Sequence, residues 1–453
     1  MWVESLFIGN IRSFERQQFS FARSKDTPYP WVTLLGENGG GKSTVLQALG
    51  LILAGPEGAQ TLVPRPVGWL RNESQVGGMA ASFRQGSADP GRWKRKVFRH
   101  GLAVTGREPI HERGQVYTEP TFLDLPNPEL SWLRKNVFAS RGSGWFAAGY
   151  GSFRRLTRSH QVLVPSLEPQ ARYTNFLTQF NEDEPLTTFE RWMVYLDYII
   201  AKSSKNRRSV LAKRSSLWAR RRREWGIKAI NRILPSGTRF DSVTNEGRIL
   251  FEVGGRKVPT IGLSDGYRSV LALAGDLIWR LIQAFPESDH PLDEEGVVLI
   301  DELDIHLHPR WQRLIAGWLR EQFPNLQFFV ATHSPFVAAS AGDDALTLRL
   351  TLEDGVTKVE KVETPVALSV DRILQSEAFG QLSPYSPSTQ KDIDRYDALA
   401  RKQKLSPDEK KEFTQLRAFM QRARPVGGPP EPGSLDAKLD AYIDKALKRE
   451  SLG

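Results

Sequence analysis

The chain has 453 residues, of which 40% are hydrophobic and 10% aromatic, and its formal net charge is +10. That length suits about two or three domains with ample core, and the composition is ordinary for a globular protein. Because the sequence has no cysteine, disulfides, thiolate metal sites and a cysteine nucleophile are excluded. Residues 1–5 lack a leader pattern and Asp276 interrupts the apolar stretch 271–275, so we expect a cytoplasmic protein without a membrane span.

The first 35 residues predict β-strands. Two short apolar segments, Leu6–Ile8 and Phe19–Phe21, are separated by a more polar stretch. The run Trp31–Leu35 then predicts a buried strand, because all of its residues except Thr33 are large and hydrophobic. This strand enters the most informative part of the chain.

A glycine-rich stretch, Gly36–Thr44, follows this strand and matches the pattern G-x-x-x-x-G-K-[ST]. The apolar residues after it, from Val45 to Leu49, recur at helical spacing, so strand, loop and helix come in the order that a phosphate-binding loop needs. Glycines allow the backbone N–H groups to turn inward, and the helix N-terminus adds its dipole to this anion site. The alternative is a glycine-rich turn that binds nothing.

Two side chains of the loop carry specific roles in this prediction. Lys42 is expected to reach the β- and γ-phosphates of ATP and to act in catalysis, and Ser43 to ligate Mg²⁺, so ATP and Mg²⁺ are the predicted cofactors. The predicted nucleotide-binding residues of the loop are Gly36, Asn38, Gly39, Gly40, Gly41, Lys42, Ser43 and Thr44.

After the N-terminal part of the predicted nucleotide-binding head, residues 1–60, the pattern changes twice. Alternating segments between residues 61 and 160 predict a mainly β lobe inserted into the nucleotide domain. Residues 161–235 predict a helical lobe. Within it, apolar side chains from Phe189 to Ile200 recur every three or four positions and indicate an amphipathic, core-facing helix.

Positive charge is concentrated in residues 202–232, which hold twelve Lys and Arg residues against one acid, Glu224. The rest of the chain is close to neutral, so the basicity belongs to this segment. Leu211, Trp218 and Trp225 are spaced seven apart and predict one apolar stripe on a helix. Three interpretations stay open: nucleic-acid contact through phosphates and stacked bases, a protein-binding site, and a solvated face.

The C-terminal part of the head is predicted at residues 236–365. A hairpin is expected at residues 239–258. A second hairpin is expected where two alternating segments, 346–352 and 356–362, flank Glu353-Asp354-Gly355.

Residues 366–453 predict a helical tail. Two helices are expected at about 389–403 and 407–423, the second opened by a capping box at Ser406–Glu409. The stretch 425–433 is rich in proline and glycine and predicts a linker before a last amphipathic helix.

Two further strands end in polar residues that suit phosphoryl transfer. The apolar strand Val297–Ile300 runs into Asp301 and Glu302, and Phe328–Thr332 runs into His333. We expect Asp301 to hold Mg²⁺ through water, Glu302 to orient or deprotonate the attacking water, and His333 to sense or polarise the γ-phosphate. Taken singly, a strand that ends in two acids is typical of a solvated turn, and a lone histidine of a structural residue.

Four elements together resemble the ATP-binding-cassette (ABC) ATPases: the loop Gly36–Thr44, the signature-like segment Leu263–Ser269, the strand ending in two acids and the strand ending in histidine. The resemblance covers about residues 1–55 and 255–340. Within that superfamily the chain is most similar to the RecF/SMC/Rad50-like branch.

Two segments narrow the resemblance further. Asn10–Phe14 and Asp301–Pro309, with the phosphate-binding loop and the signature-like segment, resemble the stand-alone AAA ATPases of bacterial anti-phage systems, such as the Septu ATPase and the overcoming-lysogenisation-defect proteins. The resemblance implies an α/β fold: a P-loop NTPase head of the ABC type with an inserted β lobe and a helical lobe, plus the C-terminal helical tail.

The resemblance also implies how ATP is enclosed. In this family logic two chains form a head-to-tail homodimer, in which Ser264 and Gly266 of one chain close on ATP held by the other. Asp304 is then expected at the interface between the heads, and Arg12 near the phosphates.

Three points depart from or compete with that pattern. Asp265 stands where the signature usually has glycine, which places an acid near the opposing γ-phosphate. No glutamine is assigned to the Q-loop; the candidates in or directly before the predicted β lobe are Gln60, Gln75 and Gln85. His306 and His308 suggest a zinc site as an alternative. Their spacing after the strand Val297–Ile300 is better explained by the loop that follows Asp301 and Glu302.

The predicted function is a Mg²⁺-dependent ATPase whose ATP-driven dimerisation regulates a separate effector, expected to be a nuclease, in anti-phage defence. A RecF-like DNA-binding ATPase of repair or recombination is the alternative, and residues 202–232 as a nucleic-acid contact serve both. Asp392, Asp394 and Asp397 predict a charged helix face instead of the acidic cluster of a Toprim nuclease, so the nuclease is expected on another polypeptide. An ABC transporter subunit fits poorly, because a long segment separates Thr44 from Leu263.

Overall fold

The structure, a computed structural model, describes residues 1–423 with gaps. The gaps are residues 25–26, 73–75, 90–96, 107–109, 113–114, 118–119, 126–127, 139–143, 155–170, 183–185, 187, 206–209, 235–236, 245, 367, 381–382, 384 and 403–404. Residues 424–453 lie outside the described part, and the predicted linker and last helix fall there. The chain divides into two compact units: Met1–Leu368 with Glu377–Phe379, and Ser369–Ser376 with Gly380–Gly453.

The first unit contains the strands and most of the helices. The strands are β1 (Trp2–Ile11), β2 (Phe14–Ser20), β3 (Ala22–Ser24), β4 (Thr27–Pro28), β5 (Trp31–Gly36), β6 (Gly77–Arg84), β7 (Val97–Gly106), β8 (Ile110–Glu112), β9 (Gln115–Tyr117), β10 (Pro120–Asp124), β11 (Phe146–Tyr150), β12 (Thr238–Val243), β13 (Ile249–Val253), β14 (Arg256–Pro259), β15 (Gly296–Ile300), β16 (Leu326–Ala331), β17 (Leu346–Glu353) and β18 (Val356–Val362). The helices are α1 (Lys42–Ala54), α2 (Pro56–Leu62), α3 (Leu130–Asn136), α4 (Leu177–Phe180), α5 (Thr188–Lys205), α6 (Val210–Ile233), α7 (Asp265–Ala284), α8 (Pro309–Gln322) and α9 (Pro335–Ala339).

A six-stranded sheet in the order β11-β15-β16-β5-β17-β18 forms the centre of the first unit. Neighbouring strands in it are parallel except at the β17–β18 hairpin. β11, β15 and β16 are buried along their whole length, as expected for strands covered on both faces. Ile300 pairs with Val330 and Val330 with Thr33, so the segments after β15, β16 and β5 leave the sheet at one edge. The prediction that His333 shares the edge of Asp301 and Glu302 is confirmed.

A second, antiparallel sheet has the order β10-β7-β6-β1-β2. Three of its strands belong to residues 61–160, yet β6 pairs with the N-terminal strand β1, from Trp2 with Arg84 to Gly9 with Gly78. A fourth strand of that segment, β11, joins the central sheet. The segment expected as an inserted lobe therefore extends both sheets of the head. Its strand pattern is as expected, but alternation does not encode which edge a strand joins, and β1 had a free edge.

Apolar side chains fill the space on both faces of the central sheet. On one face, α1 and the antiparallel sheet pack against it, and Phe21 meets Phe329 edge-on with ring centroids 4.8 Å apart. On the other face lie α5, α6, α7 and α8. The predicted core-facing helix is confirmed as α5, where Trp192 is fully buried, stacks on Trp279 of α7 and donates its Nε1–H to the Gly275 carbonyl at 3.0 Å.

Both predicted hairpins are confirmed. β12 pairs antiparallel with β13, and β14 adds a third strand. β17 pairs antiparallel with β18 around Asp354 and Gly355, whose φ angles are 48° and 73°. Two consecutive positive φ values are typical of the tight turns that match strand twist.

The second unit contains α10 (Val370–Leu374), α11 (Pro387–Ala400) and α12 (Pro407–Ala423). The predicted capping box is confirmed: Ser406 N–H donates to Glu409 Oε2 at 3.0 Å, and Glu409 N–H donates to Ser406 Oγ at 3.2 Å. Tyr396 stacks on Phe413 across the helix pair. Within the described parts of both units, no helix combines the length and apolar composition needed to cross a bilayer.

Trp192→Ala should lower the free energy of unfolding by about 3–5 kcal/mol, because it removes a fully buried ring and leaves a cavity beside Trp279. Tyr198→Ala on the same helix is the matched control, since Tyr198 is 52% exposed, and should change it by less than about 0.5 kcal/mol. Urea unfolding followed by circular dichroism measures both. Equal effects of the two substitutions would contradict the packing of α5 on α7.

Candidate functional site

The phosphate-binding loop lies between β5 and α1, as the sequence predicts. Gly36, Gly39 and Gly41 have φ angles of 145°, 80° and 96°, which side chains with a Cβ rarely adopt. A Cβ at Gly36 would also lie 2.1 Å from the Leu350 carbonyl oxygen of β17. The glycines are therefore required both by the turn and by the close approach of the neighbouring strand.

Lys42 begins α1 and folds back over the loop. Its Nζ donates to the carbonyls of Gly36 and Glu37, both at 2.8 Å, and the residue is 6% exposed. Burial lowers the pKa of Lys42, while the nearby acids Asp301 and Glu302 oppose that change. The ammonium group is thus held at the mouth of the loop beside the carboxylates.

Arg12 contacts two side chains in the first turns of α1, those of Thr44 and Gln47. Arg12 Nη1 donates to Gln47 Oε1 at 2.7 Å and to Thr44 Oγ1 at 3.3 Å, and its guanidinium lies over the Trp69 ring at 4.3 Å. Burial lowers the pKa of Arg12. The predicted proximity of Arg12 to the loop is consistent with these contacts to the first turns of α1.

Asp301 follows β15 and touches the loop. Burial raises the pKa of Asp301, while the nearby Ser43 hydroxyl and the cations Arg154 and Lys42 oppose that change. Asp301 Oδ1 is buried and has no hydrogen-bond partner in the described part of the chain. A hydroxyl and a free carboxylate oxygen at one point suit Mg²⁺, which prefers hard oxygen ligands. The residues present therefore fit the predicted ion.

Glu302 has a φ of 47°, which is uncommon for a residue with a Cβ. Burial, then the neighbouring charges of Asp301 and Asp304, raise the pKa of Glu302. Strained backbone and a raised carboxyl pKa are features that cluster at reactive sites. These two features fit the predicted role of Glu302 toward the attacking water.

His333 follows β16 at the exposed rim of the same edge. Its backbone N–H donates to Asp304 Oδ1 at 3.2 Å, and Thr332 Oγ1 donates to the same oxygen. Partial burial of the imidazole, then the charge of Lys42, lower the pKa of His333, which favours the neutral ring. Asp304, expected between two heads, has its carboxylate engaged within its own chain.

The signature-like residues lie at the start of α7. Ser264 is the N-cap, and Asp265 forms an ion pair with Arg268 at 3.2 Å, so the unexpected acid has a cation beside it. A Cβ at Gly266 would approach the His306 carbonyl oxygen to 2.9 Å. Ser264, Gly266 and His306 line a cleft of about 1210 Å³ whose walls come from α6, α7 and α8.

The zinc alternative is not supported. His308 is the N-cap of α8, and its Nδ1 accepts the Arg310 N–H at 3.3 Å. Among the residues that the structure describes, no group of three or more His, Cys, Asp or Glu could hold a metal ion. Of the Q-loop candidates, Gln60 donates its amide to the Phe122 carbonyl of β10, and Gln75 is outside the described residues.

The basic segment is divided between core and surface. Arg222 is 4% exposed, stacks on Trp218 at 4.4 Å and donates to the Pro286 carbonyl, and Arg223 forms an ion pair with Asp197 at 2.5 Å. The predicted apolar stripe is wrong at Leu211, which is 76% exposed, because α6 meets the core only from Trp218 onward. The exposed cations of its outer face include Lys213, Arg214, Arg220 and Lys228.

Sequence reasoning missed Arg154, which is enclosed directly behind the carboxylates. Its guanidinium donates to the carbonyls of Asp301 and Glu302. A usable signal existed: the apolar run Phe146–Tyr150 ends at Gly151, which indicates a parallel strand with functional residues at its end.

A phosphate-binding loop after β5, two acids after β15 and a histidine after β16, on one edge of a parallel sheet, define a P-loop ATPase head of the ABC type. The chain belongs to the family described as "AAA domain, putative AbiEii toxin, Type IV TA system", which matches residues 97–339. A further AAA-domain family matches residues 5–73.

Three relatives carry names from two bacterial systems. Septu protein PtuA of Bacillus mycoides (strain KBAB4) is 27% identical over 428 residues, 94% of this chain and 51% of the relative. Retron Vc95 probable ATPase of Vibrio cholerae serotype O1 biovar El Tor is 39% identical over 94 residues, 21% of this chain and 18% of the relative. Retron Ec83 probable ATPase of Escherichia coli is 52% identical over 75 residues, 17% of this chain and 14% of the relative. The chain thus matches about half the length of the Septu relative and less of the other two.

One solved structure, an SMC head bound to the C-winged helix domain of ScpA, aligns with a TM-score of 0.48 and 17% identity. The alignment covers 80% of this chain and 98% of that chain.

Proposed function

We propose that the chain binds ATP with Mg²⁺ at the end of β5 and hydrolyses it. The observation that carries this proposal is the parallel pairing of β15 with β16 and of β16 with β5, which brings the acidic end of β15 and the phosphate-binding loop to one edge of the sheet. Catalysis of phosphoryl transfer needs positioning and charge neutralisation above all, and this pairing brings both sets of groups together.

In this proposal, different residues of the chain bind the phosphates, hold the ion and activate water. The loop N–H groups and the α1 N-terminus bind the phosphates, and Lys42 places a cation against them. Ser43 would ligate Mg²⁺ and Asp301 would hold the ion through water, and the ion would neutralise phosphate charge. Glu302 orients a water molecule and takes its proton. Its raised pKa makes it a better proton acceptor than an ordinary carboxylate.

The second part of the proposal is that another copy of the chain completes the site. Ser264 and Gly266 face the cleft at the start of α7, which is formed by other elements than the phosphate-binding loop. A helix N-terminus with a serine cap suits a phosphate offered by another molecule. ATP would therefore join two heads in a homodimer.

The third part concerns the regulated effector. Similarity to relatives named as a Septu protein and as retron ATPases supports a role in bacterial anti-phage defence. The effector in this proposal is a nuclease on a separate polypeptide, because Asp392, Asp394 and Asp397 predict a charged helix face and not a nuclease site. The alternative is a RecF-like DNA-binding ATPase. The exposed cations on the outer face of α6 favour direct nucleic-acid contact, which fits either role.

Wild-type protein should release phosphate from ATP only with Mg²⁺. Glu302→Gln should keep the affinity for ATP and lower kcat at least about 10²-fold, because the proton acceptor is lost. Lys42→Ala should lose ATP affinity itself. Phosphate release and titration with a fluorescent ATP analogue separate the two effects, and equal hydrolysis by wild type and Glu302→Gln would remove the catalytic assignment.

ATP should tighten the association of Glu302→Gln heads, and adding Ser264→Arg should prevent this by filling the space that the partner's phosphate needs. Sedimentation velocity with and without ATP measures the change. Ser388→Arg, an exposed serine of α11, is the control and should leave the association intact. If ATP changes the sedimentation coefficient of neither the wild type nor Glu302→Gln, the result would count against a site shared between two heads.

Replacing Lys213, Arg214, Arg220 and Lys228 by Gln should weaken nucleic-acid binding and flatten its salt dependence, by about 0.7–0.9 in the log-log slope for each lost phosphate contact. Arg222→Gln is the contrasting variant, because its buried guanidinium should matter for stability instead. An unchanged slope with loss of a co-purifying nuclease would indicate a protein-binding face. An unchanged slope with intact partner binding would leave a solvated face.

A further inference from the structure

Arg154 is an almost completely buried cation near the site. The residue is 2% exposed and lies in the short segment after β11. Nη1 donates to the carbonyls of Gly151 at 2.8 Å and Asp301 at 2.6 Å, and Nη2 donates to the carbonyl of Glu302 at 2.8 Å. One guanidinium therefore joins the end of β11 to the backbone of both acidic residues.

These acceptors lie where the backbone leaves the sheet. Asp301 N–H still donates to the Tyr150 carbonyl at 2.8 Å, and at the next residue φ becomes 47°. The Glu302 carbonyl accepts from Ile305 N–H at 3.0 Å as well as from Arg154. A left-handed conformation at a residue with a Cβ persists only where its surroundings hold it.

The backbone segment that carries Arg154 is itself held in place by neighbouring elements. Tyr150 OH donates to Asp276 Oδ2 at 2.8 Å, and Asp276 on α7 is fully buried. A Cβ at Gly151 would lie 2.2 Å from the Thr178 carbonyl oxygen, so this turn is tightly confined. The planar fork of arginine is suited to hold several acceptors at once with little loss of side-chain entropy per bond.

We propose that Arg154 is a positioning residue for ATP hydrolysis, which holds Glu302 in its left-handed backbone conformation and so aims its carboxylate at the attacking water. Arg154 touches neither nucleotide nor water in this role; it acts through the two backbone carbonyls. The inference rests on the proposed function. Burial lowers the pKa of Arg154 only to about 10, so the guanidinium stays charged near neutral pH.

A matched control lies near the other end of the same strand. Arg172 is partly buried, and its Nη1 donates to the carbonyls of Gly144 and Trp145 just before β11. Burial lowers its pKa to about 10 as well. Arg172→Met removes the same kind of interaction as Arg154→Met without touching the acidic end of β15.

The experiment compares kcat, ATP affinity and urea midpoint in Arg154→Met and Arg172→Met. Arg154→Met should lower kcat about 10²-fold, since small misplacement of a reacting group costs that much, with ATP affinity changed less than about threefold. Arg172→Met should lower the urea midpoint comparably but keep kcat within about threefold. Equal losses of kcat in the two variants, or a parallel loss of ATP affinity in Arg154→Met, would overturn the positioning role.

Arg154→Lys keeps the charge and loses the fork, and it serves if Arg154→Met does not fold. It should bind ATP normally and show reduced kcat, whereas wild-type kcat would overturn the proposal. In the Glu302→Gln background, Arg154→Lys should cause no further loss of kcat. Both changes remove the same contribution to catalysis, which is the correctly aimed carboxylate of Glu302. An absence of Mg²⁺-dependent hydrolysis in the wild type would refute the proposed function, and hydrolysis at the wild-type rate in Glu302→Gln would remove the catalytic role of Glu302. Normal kcat in Arg154→Lys together with an impaired Glu302→Gln would refute this inference alone.

Discussion

The parallel pairing of β15, β16 and β5 is the constraint on which the head depends. Ile300 pairs with Val330 and Val330 with Thr33, so three chain segments leave the sheet at one level. Since these strands are covered on both faces, their interiors accept almost only apolar side chains. Polar groups can therefore gather only where the strands end, which places the phosphate-binding loop, the acids and the histidine together.

That arrangement places two acids in a partly buried environment that disfavours their charged forms, and two nearby cations oppose this effect. Burial raises the pKa values of Asp301 and Glu302, and their mutual proximity adds to the effect at Glu302. Lys42 and Arg154 oppose it from two sides, the first from the loop and the second from behind the backbone. Both cations thus favour the charged form of the acids, and Arg154 also hydrogen-bonds to the backbone carbonyls of both acidic residues.

Most of the fold that was predictable has local causes. The hairpin turn at Asp354-Gly355, the capping box at Ser406 and the glycines of the phosphate-binding loop each depend on a few consecutive residues. Strand partners do not. The strands of residues 61–160 were recognisable as strands, but the pairing of β6 with β1 depends on which edge of β1 is not occupied by β2.

The sequence by itself determined the residues available for chemistry: a glycine-rich loop suited to bind phosphate, two acids and a histidine after buried strands, and the positions of the helices that follow. Only the tertiary structure decided what the arginines do. Arg154 and Arg222 each sit beside other cations in the sequence and suggest surface charge, yet both are buried on carbonyl oxygens distant in the chain. A hydrogen-bond acceptor is supplied by whichever backbone folding brings near, and local sequence does not record it.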